Sequence, residues 1–314
     1  MIINRMLKPC LHPVYVAIKQ QLRKFNKYWE KVKHGRVLSE NDGNLLIADM
    51  IRQKQPAAFG KIGNIELKAV RIGLQENPQI NAASMQHILQ ELYVNAGVFP
   101  PSDAMLRYFA DEFSTALLCM SVLGVYFNPG EADLANQFGQ KAIRAFPRSY
   151  EPYYHLKPWS AELKGKSVLV VSPFVDTITK QYAKRELIWS QLPDVLPEFN
   201  LHTIKVPLSD AIIKSPYESW KACLDDLKRQ MDSVDFDVAL IGAGAYSLPL
   251  CTHAKSLGRI GIHMGGATQI LFGVIGNRWT DHPIISGFFN EHWCRPSADE
   301  SPSANVLVEG GCYW

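Results

Sequence analysis

Residues 237–268 run Asp237-Val-Ala-Leu-Ile-Gly-Ala-Gly-Ala-Tyr246, Ser247-Leu-Pro-Leu-Cys-Thr-His-Ala-Lys-Ser256 and Leu257-Gly-Arg-Ile-Gly-Ile-His-Met-Gly-Gly-Ala-Thr268. Val238–Ile241 is an unbroken apolar run that stops at glycine. Leu248–Ser256 has helical spacing, and Arg259–His263 is a second short run that stops at Met264-Gly265-Gly266. Strands this short and this apolar are buried on both faces, and a helix between two of them makes the pair parallel. The alternation continues outward from this stretch. Ser167–Val171 predicts a strand ending at Ser172-Pro173, Thr177–Trp189 a helix, and Leu201–Val206 a strand. Tyr217–Asp232 predicts an amphipathic helix with Trp220, Leu224, Leu227 and Met231 on one face, and a further helix starts near Ala267. The fold class that follows is α/β, a doubly wound, mainly parallel, Rossmann-like sheet in the C-terminal half.

Before Lys164-Gly165-Lys166 the pattern is different. Leu45–Arg52, Glu66–Leu74, Ala83–Asn95, Ser102–Phe113, Phe113–Leu123 and Glu131–Ala145 carry helical periodicity between Gly, Pro and Asn stops. The N-terminal half is therefore expected to be largely helical. The organisation that results is a basic amphipathic helix in 1–44, a mostly helical region in 45–160, the Rossmann-like domain in 161–290 and a tail in 291–314.

Of the 314 residues, 47% are hydrophobic and 20% charged, which excludes a disordered or collagen-like chain. The six cysteines are scattered without a CxxC, which argues against a disulfide scaffold or zinc knuckle and suits a reducing compartment. No cleavable signal is apparent, and the apolar run Ala116–Phe127 is shorter than the ~20 residues of a membrane span. A cytoplasmic protein is expected. The net charge of +3 is unevenly spread: residues 1–36 hold nine Lys and Arg against Glu30 alone. Within them Val14, Ile18, Leu22, Phe25 and Trp29 recur at helical spacing. Two readings stand. The stripe packs on the body, or the basic helix rests on an anionic membrane, making the protein peripheral on the inner membrane face. No nucleic-acid motif accompanies the charge, so no nucleic acid is expected as a partner.

In open α/β sheets ligands bind beyond the C-terminal ends of strands. Three such ends are Ser172-Pro173-Phe174, Gly242-Ala243-Gly244-Ala245-Tyr246 and His263-Met264-Gly265-Gly266. Gly242, Gly244, Gly265 and Gly266 can bring backbone N–H groups to a phosphate, or can simply make tight turns. The dinucleotide fingerprint is incomplete, and no nucleophile elbow, P-loop or HExxH is present. His263 is a candidate base or a hydrogen-bonded structural residue. In Ala57–Leu67, Asn64 suits a helix N-cap and Glu66 complements the helix dipole. The same two side chains can share a divalent metal, Mn or Mg, or a sugar hydroxyl.

Phe59-Gly60-Lys61-Ile62-Gly63-Asn64-Ile65-Glu66 resembles the Arg-Phe-Gly-Asp-Gly-Glu signature of bacterial GT-D-fold glycosyltransferases of polysaccharide biosynthesis. Lys166–Phe174, Asp237–Tyr246, Gly261–Gly273 and Gly276-Asn-Arg-Trp279 are similar to the family's successive strand–loop units, so the resemblance spans residues 45–280. It implies a transferase using a nucleoside-diphosphate sugar, usually UDP-linked, and a glycan or lipid-linked acceptor. The family's Asp-x-Glu pair, which serves donor and metal, falls on Asn64 and Glu66. The lost aspartate weakens the metal site. Ile65 replaces the second glycine, and the leading arginine is missing. A pyrophosphate leaving group needs N–H donors, a cation or a metal. Beside the glycines, Lys61, Gly63, Ser172, Lys180, Arg185 and Tyr246 are the expected donor-binding residues; Glu66, Asp176 and His263 are the candidates for taking the acceptor proton. Aromatic residues in Tyr150–Trp159 either stack on a sugar or pack. Two other classes remain: an inactive nucleotide-sugar-binding module, and an unrelated doubly wound enzyme such as a reductase or methyltransferase.

Overall fold

The computed structural model describes residues 21–76, 78–208 and 215–314. Residues 21–34 are helical (α1). There follow β1 (Val37–Leu38), α2 (Glu40–Arg52), β2 (Ala57–Lys61), α3 (Asn64–Gly73), α4 (Ala82–Ala96), α5 (Asp103–Cys119), β3 (Val122–Gly124), α6 (Glu131–Phe138) and β4 (Ile143–Ala145). The second half gives β5 (Ser167–Ser172), α7 (Val175–Tyr182), α8 (Arg185–Ile188), β6 (Asn200–Lys205), α9 (Trp220–Asp232), β7 (Val238–Ile241), α10 (Ser247–Ser256), β8 (Ile260–His263), α11 (Ala267–Leu271) and α12 (Asn277–Thr280). The eight strands form one sheet in the order β1-β4-β3-β2-β8-β7-β5-β6, with every pairing parallel. The α/β, doubly wound class read from the sequence is the fold observed.

Alternate strand residues face opposite layers, as the period of two requires. Val168 and Val170 of β5, with Val238 and Leu240 of β7, pack against α2, α7, α11 and the turns around Trp159. Leu169, Val171, Ala239 and Ile241 pack against α3, α4, α5, α9 and α10 on the other side. A strand covered on both faces has no place for a polar side chain, which is why these runs were legible.

The sheet does not stop at the middle of the chain. β1–β4 come from the half expected to be largely helical, and β2 joins β8 through Ala57↔Ile260, Ala58↔Gly261 and Phe59↔Ile262. Three expected helices are corrected here. Ser102–Phe113 and Phe113–Leu123 are one helix, α5, which ends at Cys119 and gives way to β3. Glu131–Ala145 ends at Phe138, and its last residues are β4. Strands of three residues are too short to break a helical periodicity; only pairing, of β3 with β2 and of β4 with β3, defines them.

The apolar stripe of α1 does not pack on the body. Leu22, Phe25 and Trp29 are exposed, while Glu30 and His34 form the docked side. Val14 and Ile18 lie outside the described residues. Among the described residues, no helix is long and apolar enough to cross a membrane.

Candidate functional site

Strands β2, β8, β7 and β5 are neighbours in the middle of the sheet, and the loops at their C-terminal ends line a cleft of about 620 Å³. From β5 the chain winds outward to β6, then returns to build β7 and β8 on the other side, so the winding reverses between β5 and β7. A crevice opens at such a reversal because the two flanking loops leave toward opposite faces. Lys61, Gly63, Asn64, Glu66, Ser172, Gly242, Gly244, Tyr246, His263, Gly265 and Gly266 all line it.

Lys61 closes β2 and is 8% exposed, yet among the described residues its ammonium has no ion pair or hydrogen bond. Its stem is buried, and the residue lines the cleft with no carboxylate of the described residues to meet its charge. Beside it, at the end of β8, burial pushes the His263 imidazole down to about 3, and the charge of Lys61 adds to the shift. The ring is therefore neutral at ordinary pH. Its Nδ1 is buried without a hydrogen bond, as are Thr268 Oγ1 and Gln269 Oε1 on the same wall. Buried polar atoms are satisfied in nearly all folded proteins, so this cluster wants a ligand or water.

Glu66 lies in the first turn of α3, whose N-cap is Gly63 rather than the expected Asn64. A Cβ at Gly63 would stand 2.0 Å from Glu66 Oε2, so the carboxylate folds back over the glycine. Burial raises its carboxyl above the usual range; a bond to its own backbone N–H opposes this, and nearby Glu309 reinforces the rise. Asn64 sits exposed one turn position earlier. Both side chains line the cleft. No group of three or more His, Cys, Asp or Glu able to hold a metal occurs among the described residues.

The glycine loops divide in their roles. The amides of Gly242 and Gly265 donate to Val171 O and Ile241 O, at 2.9 and 3.2 Å, and Ala243 N donates to Ser247 Oγ. Gly242 is needed for packing: a Cβ there would meet Thr268 Oγ1 at 2.5 Å and Gly265 O at 2.8 Å. Of the four glycines expected to offer amides, Gly244 and Gly266 remain uncommitted among the described residues.

Asp176, Lys180 and Arg185 are not in the cleft. Asp176 is ion-paired with Lys205 at the surface, Lys180 is exposed on α7, and Arg185 pairs with Glu186 and Glu198 over the Tyr182 ring. Glu300 is fully buried and accepts from Asp176 N at 2.8 Å and Thr177 N at 3.2 Å. The N-terminus of α7 thus already holds an anion supplied by the chain itself. Tyr150, Tyr153 and Trp159 are buried in the core, Tyr150 donating to Gly60 O, so that loop packs.

The tail, which carried no reading from the sequence, builds one wall. Arg278 on α12 pairs with Glu309, and its guanidinium lies 4.9 Å from the Tyr313 ring centroid. Arg278 N donates to Cys312 O, Asn277 N to Trp314 O, and Glu309 N to Asn95 Oδ1. Arg278, Glu309 and Tyr313, with Thr268 and Gln269, are among the site residues that sequence reasoning missed. The only signals for the first three were Gly276-Asn-Arg-Trp279 and the Gly310-Gly311 turn. Compared with protein-family models, with curated proteins and with solved structures, the chain matches none.

Proposed function

We propose that the chain is a glycosyltransferase moving a sugar from a nucleoside-diphosphate donor, a UDP-sugar first, to a cell-surface, capsular or lipid-linked glycan. The observation that carries this reading is Lys61, a largely buried lysine that lines the cleft with no carboxylate partner among the described residues, beside orphaned polar atoms on the cleft floor. A pyrophosphate supplies the missing anion. The acceptor hydroxyl attacks the anomeric carbon as the bond to the β-phosphate oxygen breaks. The charge that develops on that oxygen meets Lys61 and the amides of Gly244 and Gly266. Glu66, its affinity for protons raised by burial, takes the hydroxyl proton. His263 stays neutral and offers Nδ1 as a hydrogen-bonding group, since its cationic form is disfavoured. No step is routed through a metal.

A second reading has one observation behind it. The Glu66 carboxylate is engaged by its own helix, as in a nucleotide-sugar-binding module without turnover. The test is a thermal-shift screen against UDP, GDP, CMP, NAD and S-adenosylmethionine, with and without manganese, followed by transfer assays. UDP or GDP is expected to raise Tm without manganese in the wild type and not in Lys61→Met; ~100 times the dissociation constant adds about 2.7 kcal/mol. Glu66→Ala is expected to keep the shift and lose transfer by about 100-fold or more. Equal, undetectable turnover in wild type and Glu66→Ala selects the binding module. A shift with NAD or S-adenosylmethionine alone sinks both readings in favour of an unrelated doubly wound enzyme.

A further inference from the structure

Helix α1 is docked by its polar side. The Glu30 carboxylate accepts from the N–H groups of Gly130 and Ala132 at 2.9 Å each, at the start of α6. Lys33 pairs with Asp133 at 3.0 Å, and Asn136 Nδ2 donates to Lys33 O. Turned away from these contacts, Leu22, Phe25, Tyr28, Trp29 and Val32 are 47–62% exposed. At about 100° per residue they share one stripe, nearly opposite Glu30 and His34. A helix that completes a core is oriented the other way round. An aromatic stripe of this length left in water calls for a cover.

The charges around the stripe identify that cover. Over residues 21–36 the chain carries Arg23, Lys24, Lys27, Lys31, Lys33 and Arg36, and the one acid, Glu30, is consumed by α6. Lys24 and Lys31 are exposed about 40° and 60° beyond the Tyr28 edge of the stripe, and Lys27 is exposed about 100° beyond it. A second copy of α1 would bring two such cationic flanks together, which Coulomb repulsion opposes. We propose that α1 docks on an anionic lipid surface, its apolar stripe in the headgroup layer and its lysines at the lipid phosphates. The β3–α6 loop that receives Glu30 also supplies Tyr126 to the cleft wall, so α1 and the cleft share one loop. The proposal stands on α1 and does not depend on the transferase reading.

Co-sedimentation of the full chain with sucrose-loaded vesicles tests it. One set is phosphatidylcholine alone, the other contains about one third phosphatidylglycerol. The chain is expected to pellet with the anionic set and far less with the neutral one, and to be released as salt rises above about 0.15 M. Lys24→Glu/Lys27→Glu/Lys31→Glu should weaken partitioning at least 100-fold, from about fivefold per lysine. Phe25→Glu/Trp29→Glu should abolish it. Both variants alter exposed positions, and an unchanged Tm and circular dichroism spectrum verifies their fold. Wild-type protein that stays in the supernatant, or variants that bind equally, would overturn the proposal. So would a vesicle-free dimer that Phe25→Glu/Trp29→Glu converts to monomer, which assigns the stripe to a second copy.

Discussion

His263 shows how one residue's position converts into a measurable property. The folded protein holds its imidazole at about 3, against 6.5 in an unfolded chain. Between these values the unfolded state binds a proton that the folded state refuses, so stability from this residue is lost as pH falls from 6.5 toward 3. Between about pH 4 and 6 the slope is about 1.4 kcal/mol per pH unit. Denaturant unfolding of His263→Gln across that window is expected to show a shallower acid-side loss than the wild type; parallel curves would place His263 in water. At this scale the sequence was readable where chemistry is local. Gly63, Glu66 and the glycine loops were visible because a close backbone approach demands glycine whatever lies elsewhere. The start of α7 was misread as a site for a ligand because the carboxylate that already caps it, Glu300, lies more than a hundred positions away.

Among the elements, α7 depends on that distant carboxylate. Glu300 is fully buried, accepts from two amides of the first turn and from Ser297 Oγ at 3.1 Å, and fixes the tail that carries Glu309 and Tyr313 to the cleft. Glu300→Ala leaves the α7 N-terminus open and is expected to cost about 2–3 kcal/mol, with Glu300→Gln costing less because it keeps an acceptor. Ligand-induced Tm shifts should also weaken in Glu300→Ala, although Glu300 itself is outside the cleft. An unchanged ligand response in a destabilised variant would show that the tail wall plays no part in binding. Helix α1 gives the converse lesson. Its heptad-like spacing was plain in the sequence, but spacing cannot tell which side of a helix meets the protein. Glu30, read as the odd acid in a basic segment, is the side chain that decides it.

Across the whole molecule, the β2–β8 pair makes the two halves one cooperative structure. Ala57, Ala58, Phe59 and Ile262 are fully buried at that seam. Unfolding followed by tryptophan fluorescence and by far-ultraviolet circular dichroism is therefore expected to give coincident transitions. Separate midpoints would mean that the halves fold independently. From the sequence alone came the fold class, the order of β5–β8 with their helices, and the cleft-lining glycines, because a strand buried on both faces must be apolar throughout and a tight loop must be glycine. Tertiary structure alone decided that β2, β3 and β4 are strands, that α1 turns its aromatics outward, and that the tail walls the cleft. Each of these depends on which distant segment lies alongside, a choice made by pairing and burial across the fold and written in no local periodicity.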